Sequence, residues 1–313
     1  MFGKSYVKTL IDRSAETPGD RRRFMKVAGA TGLGIVGAGA LAGAAATSAS
    51  ASTLSDDANS ISDATVLNFA LNLEYLEAEF YSYAAHGYGL PGSLTSGTGK
   101  SGPVEGGKKV WFKSKAVGQL AKEIARDEYE HVAFLRAALG KYAVGRPEIN
   151  ISSSFTAAAT AAGLIKPGET FDVYANEDNF LLGAFIFEDV GVTAYKGAAP
   201  LIVNKTYLGA AAGILAVEAY HASTIRTRLY DGGFSAQADA ISAARNSLDG
   251  SGSDQGITVG GWENIVPTDS NGLAFGRTPG EVLNIVYLTP KAAKKGGFFP
   301  EGVNGTLNTS GTA

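Results

Sequence analysis

Two four-residue strings constrain this chain more than anything else in it: Glu128-Tyr129-Glu130-His131 and Glu218-Ala219-Tyr220-His221. Both read Glu-x-x-His, and they hold two of the only three histidines present. Positions i and i+3 share a helix face, so each glutamate and histidine can aim at one point. A carboxylate oxygen and an imidazole nitrogen on one face form half of a transition-metal site. The repeat extends beyond the strings. Ala121, Ile124, Glu128, His131 and Leu135 share one stripe, and Ala211, Ile214, Glu218, His221 and Ile225 share another with the same spacing and residue types. Such stripes face the interior of a helical bundle. A carboxylate there is costly unless it is paired or bound to metal.

A second repeat accompanies the first. Leu67, Ala70, Glu74 and Tyr81 recur, at equal offsets, as Leu181, Ala184, Glu188 and Tyr195. The order is a helix with Glu…Tyr, a helix with Glu-x-x-His, and then both again. Four carboxylates and two imidazoles converge if the four helices pack together. Carboxylate bundles of this type hold two metal ions, with one Glu from each of two helices and a Glu-x-x-His from each of the other two. Two divalent ions neutralise four carboxylates, so the site is balanced with metal and strained without it.

These strings resemble the ferritin-like superfamily, and most closely a bacterial ferritin-like family related to plant desiccation-related proteins. The resemblance rests on Leu71-Asn72-Leu73-Glu74-Tyr75-Leu76-Glu77-Ala78, Glu128 to His131, Phe187-Glu188-Asp189-Val190-Gly191 and Glu218 to His221. Asn271-Gly272-Leu273-Ala274-Phe275 and Gly297-Phe298-Phe299-Pro300 extend it, to cover roughly residues 60–305. It implies an all-α, ferritin-like four-helix bundle with a long crossover, an extra C-terminal helix and a loop-rich C-terminal extension. It also implies oxidation of ferrous iron, or reduction of dioxygen or peroxide, at a pair of iron ions, with manganese as the alternative.

Composition narrows the remaining choices. The chain has 313 residues, is 45% hydrophobic and lacks cysteine, which excludes disulfides, thiolate ligands and thiol catalysis. Residues 1–50 hold seven Lys/Arg and three Asp/Glu, leaving 20 Lys/Arg against 27 Asp/Glu downstream, a charge of −7. An acidic chain of this kind repels a nucleic-acid backbone. Arg21-Arg22-Arg23-Phe24-Met25-Lys26 matches the twin-arginine export pattern, and an apolar Gly/Ala-rich run, Val27 to Ala46, follows it. Cleavage is expected within Ala40–Ala51. An uncleaved segment would be the only membrane contact, since about 20 apolar residues can span a bilayer. The mature protein is thus expected in the periplasm, at the cell surface or outside the cell.

The chain divides into a signal and cleavage region (1–50), a helical bundle (60–248) and an extension packed on it (249–313). Helices are expected over about 63–85, 114–139, 171–202, 206–230 and 235–248. The third should kink near Gly191 or Pro200, and a short helix should sit near Phe155 in the crossover. Thr278-Pro279-Gly280-Glu281 reads as a capping-box start for one more helix. Trp262, Phe275, Phe298 and Phe299 are expected to pack the extension, which also offers a homo-oligomer contact.

Six residues form the expected ligand set: Glu74, Glu128, His131, Glu188, Glu218 and His221, with Glu128 and Glu218 as bridges. Glu77 lies one turn from Glu74 and is an alternative or additional ligand. Its counterpart in the repeat is Gly191, so it breaks the pseudo-symmetry. Tyr81 and Tyr195 either hydrogen-bond ligands or simply pack. Asp127, Asp189 and Glu130 flank the stripes and read as solvated faces, and His86 as a surface residue. Three functions fit this pattern: a dimetal oxidoreductase of ferroxidase, peroxidase or catalase type, a protective envelope protein stapled by metal, and an iron-storage shell.

Overall fold

A computed structural model describes residues 61–313. The export pattern and the Ser/Ala-rich lead after it lie outside the described residues. Four long helices form a bundle: α1 (Asp63–His86), α3 (Lys115–Leu139), α5 (Glu177–Ala198) and α6 (Lys205–Asp231). The fold is the all-α bundle that the stripes predict and that the resemblance implies. α1 packs along α3, and α5 along α6. The contacts between α1 and α5 run in reverse order, with Glu74 meeting Tyr195 and Tyr81 facing Glu188, so these two helices are antiparallel.

Local chemistry sets the helix ends. Ser62, Ser114, Asn176 and Asn204 cap the four N-termini by accepting from backbone N–H groups, a contact worth about 1 kcal/mol per helix. α5 starts at Glu177, six residues later than the sequence suggests. The Asp172 and Asn176 side chains bind the backbone of Tyr174 and Asn179, which fixes a turn where a helix could have run. α5 passes through Gly191 as continuous helix and ends before Pro200, which opens a 3-10 turn, Ala199–Leu201.

α1 is buried on nearly every side, including polar Asn72, Glu74, Glu77 and Glu79. Its cover comes from α3, α5, the loops beside it and the C-terminal extension. The loop after α1 carries a single turn, α2 (Gly92–Thr95), and a short strand, β1 (Val104–Gly106). β1 pairs in parallel with β2 (Ile149–Ile151) in the crossover, with Val104 opposite Ile149. Neither strand was foreseen, because three residues carry too little periodicity to read. The crossover then forms α4 (Ser153–Ala161), whose Phe155 joins Phe80, Phe187 and Phe298 in an aromatic cluster with ring centres 4.9–5.5 Å apart.

α7 (Ser235–Asp249) follows the bundle, and after it come the hairpin strands β3 (Thr258–Val259) and β4 (Trp262–Glu263) and a last helix, α8 (Pro279–Val286). α8 has both halves of the expected capping box. The extension is bolted down by buried charge. Arg226 and Arg245 share Asp189 at 2.7 and 2.8 Å; Arg245 and Arg277 share Asp254 at 2.7 and 2.6 Å; Arg277 also holds Asp249 at 2.6 Å. Gly197 lets α5 touch the chain just before α8, since a Cβ there would overlap the Arg277 carbonyl oxygen. Phe298 and Phe299 are buried as expected and Phe275 is half-buried. Trp262 instead stands 76% exposed, on a two-residue hairpin strand whose two side chains both face solvent. No described helix is long and apolar enough to cross a membrane.

Candidate metal centre

The four stripes meet inside the bundle. Glu74, Glu128, Glu188 and Glu218 have no exposed surface, and His131 and His221 are buried. Their donor atoms form two groups compact enough to hold an ion each: Glu74, Glu128, His131 and Glu218, and Glu128, Glu188 and His221. In the first, His131 Nδ1 lies 3.2 Å from Glu74 Oε2, 3.3 Å from Glu128 Oε2 and 3.6 Å from Glu218 Oε1. In the second, His221 Nδ1 lies 3.3 Å from Glu128 Oε1 and 3.4 Å from Glu188 Oε2. All six expected ligands are therefore brought together.

Glu128 belongs to both groups and sends one oxygen to each imidazole, the geometry of a bridging carboxylate. Glu218, the second expected bridge, places one oxygen in the first group. Its Oε2 turns instead toward Gly191, where a glycine leaves it room. Glu77 joins neither group. Its carboxyl lies on the Gly191 side of the centre, with Oε1 3.4 Å from where a Cβ on that glycine would stand.

The two tyrosines are arranged crosswise. The Tyr195 hydroxyl donates to Glu74 Oε1, while Tyr81 lies beside Glu188 with no hydrogen-bond partner of its own. Two flanking aspartates differ from the solvated reading. Asp127 is half-buried and reaches across to α6, with Oδ2 3.3 Å from His221 Nε2. That contact orients the ring so that Nδ1 faces the centre. Asp189 is buried because it holds Arg226 and Arg245. Nothing within one helix signals either contact, since both partners come from other elements. Glu130 is exposed as expected, and so is His86, which stacks on Tyr88.

Crowding five buried carboxyl groups has the expected electrostatic result. Burial raises Glu74 to about 7. Burial and the surrounding carboxylates push Glu77 and Glu218 well above the usual range. Burial also raises Glu188. Glu128 is the exception: burial pushes it up, but both imidazoles outweigh that and hold it below the ordinary value. Burial alone would lower His131, yet Glu74 and Glu128 lift it to about 10. His221 is raised in the same way by Glu188, Asp127 and Glu128.

The donor set fits a pair of divalent ions. Seven buried donor atoms make no well-aligned hydrogen bond: Glu74 Oε2, Glu128 Oε1, both oxygens of Glu188, both of Glu218, and His221 Nδ1, of which Glu188 Oε1 and Glu218 Oε2 also lack an ion-pair contact. Buried polar atoms are seldom left unmatched, and each such atom costs about 1–3 kcal/mol. Here they converge on one spot, and carboxylate oxygen with imidazole nitrogen suits iron or manganese.

Comparison with known proteins agrees with this geometry. Residues 62–231 match the family model described as the ferritin-like domain. The chain is 31% identical over 264 residues to the desiccation-related protein PCC13-62 of Craterostigma plantagineum, covering 78% of this chain and 83% of that protein. It is 29% identical over 279 residues to the ferritin-like catalase Nec2 of Nesocodon mauritianus, covering 80% and 87%. No solved structure matches. The match spans all four bundle helices and every residue of the buried cluster, and the chain belongs to the ferritin-like domain family.

Proposed function

We propose that the chain is an exported dimetal protein that consumes peroxide, or reduces dioxygen while oxidising ferrous iron, with two iron ions or, alternatively, two manganese ions. The observation that carries this reading is Glu128, whose two oxygens each face one imidazole across a cluster of unpartnered donors. His131, Glu74 and Glu218 would hold one ion, and His221 and Glu188 the other. Bound there, the ions supply reversible one-electron steps and positions at which an oxidant can bind. The protein side contributes the rest. Asp127 fixes the His221 ring, Tyr195 steadies Glu74, and the apolar shell keeps bulk water from the carboxylates. The relative named as a catalase supports peroxide as the substrate, two molecules of which yield two of water and one of dioxygen. Export follows from the twin-arginine pattern, since that signal type carries proteins already folded.

A second reading keeps the metal but not the turnover. The four ligand glutamates have no exposed surface, as expected of a metal that only staples four helices, and the other relative is named for desiccation. One experiment separates the readings. Protein exported by its native host is assayed for metal by elemental mass spectrometry and for peroxide consumption. About two iron or manganese per chain with peroxide turnover supports the oxidoreductase. The same metal with no reaction toward peroxide or dioxygen supports the staple. Absence of metal removes both. A His131→Ala/His221→Ala double variant is the control and should lose the metal while keeping its helices.

A further inference from the structure

The pseudo-symmetry of the bundle is broken where α1 carries Glu77 and α5 carries Gly191. That place has a cavity. About 20 Å³ is open to the centre of a water-sized molecule, enough for one small guest. Glu77 and Gly191 line it alongside Leu76 and Val190 of the bundle, and Ile285 and Phe298 of the extension close its far side. Its position relates it to the metal centre. Glu77 keeps 5% exposure, whereas the four ligand glutamates have none. Glu218 Oε2, an unpartnered ligand oxygen, lies directly behind Gly191. A side chain at position 191 would push that oxygen aside and stand between it and the cavity, so glycine leaves only backbone between the two.

The lining selects the guest. Apart from Glu77 it is hydrocarbon and glycine backbone, and apolar cavities stay dry and take up apolar gases. Peroxide, which donates and accepts at both ends, would find one carboxyl and lose its remaining hydrogen bonds to water. Dioxygen loses nothing on entering. We propose that this cavity is a dioxygen pocket serving the metal centre, with Gly191 as the residue that keeps it open and the C-terminal extension as its outer wall. The proposal rests on the dimetal reading above and adds where one of its small molecules resides.

The test fills the pocket from its far side, away from every ligand. Crystals of the metal-loaded protein are pressurised with krypton, an apolar gas probe. The wild type should show one krypton atom against Leu76, Val190 and Ile285. Ile285→Phe should lose it, and Ile285→Ala, which widens the pocket and guards against misfolding of the first variant, should keep it at higher occupancy. In parallel, the loaded protein is reduced and its re-oxidation by dioxygen followed optically. Ile285→Phe should slow this severalfold at unchanged metal content. An empty cavity in the wild type overturns the proposal. So does unchanged re-oxidation in a krypton-free Ile285→Phe, and that result leaves the metal reading standing. Krypton bound in a protein that holds metal but reacts with neither oxidant overturns the catalytic reading, and the dioxygen assignment with it.

Discussion

Asp127 shows how much a single residue outside the ligand set can control. Its carboxylate is the contact on the outer nitrogen of His221, so it holds both the tautomer and the tilt of that ring. Asp127→Ala should weaken metal binding at the His221 side by about 10–100-fold, as removal of such supporting partners generally does. Competition with a chelator measures this, and unchanged affinity at both sites would remove Asp127 from that role. A second expectation concerns protons. Without metal, His131 is lifted to about 10 and Glu74 to about 7, so at neutral pH the centre carries protons that an ion must expel. Affinity should therefore fall as the pH drops from about 10 toward 7 through the His131 proton. It should fall more steeply below about 7, where Glu74 adds a second. Calorimetry in buffers of different ionisation enthalpy would count the protons released, and a count of zero at pH 7 would contradict this account. The ligand residues themselves could be read from the sequence, because each lies on a helical stripe with a fixed period. Asp127 could not, since its partner is on another helix and no spacing connects the two.

At the scale of elements the same division holds. α1, α3 and α6 are legible almost to the residue, because a capping side chain precedes each one and a glycine follows it. The start of α5 is not, because side-chain hydrogen bonds from Asp172 and Asn176 compete with helical ones over residues that look helical by pattern alone. β1 and β2 exist only because the first loop and the crossover lie side by side, which is a tertiary fact. α8 was legible from four residues, since a capping box joins two side chains to two backbone amides within one turn. Thr278→Ala should remove half of that box and destabilise the protein by about 1 kcal/mol. The urea midpoint would show it, and a shift indistinguishable from zero would mean that Arg277 and its aspartates hold α8 without help from the cap.

In the whole molecule, a cysteine-free chain is held closed by buried ions and amides. Arg277 and Arg245 hold Asp254 below its ordinary value of 3.8 although burial alone would raise it. A carboxyl that binds protons more weakly when folded adds stability above its unfolded value, and loses that contribution as the pH falls through the folded one. The bolts on the extension should therefore loosen only below about 3.8, and Asp254→Asn should flatten the acid limb of a stability-against-pH curve. Asp254→Ala at neutral pH leaves two buried guanidinium groups short of a partner and should cost about 3–5 kcal/mol. A wild type equally stable at pH 5 and pH 3 would refute the assignment. Farther along the chain, Asn304 and Asn72 of α1 exchange two hydrogen bonds of 2.8 and 3.0 Å, which ties the last residues to the first helix. Every proposed ligand has been synthesised once residue 221 is made, whereas the cavity wall waits for residues 285 to 298 and the Asn304 clasp comes later still. The chain is thus complete in donors before the stretch that covers them has been made, so the centre can take up metal for as long as residues 285 to 304 have yet to dock.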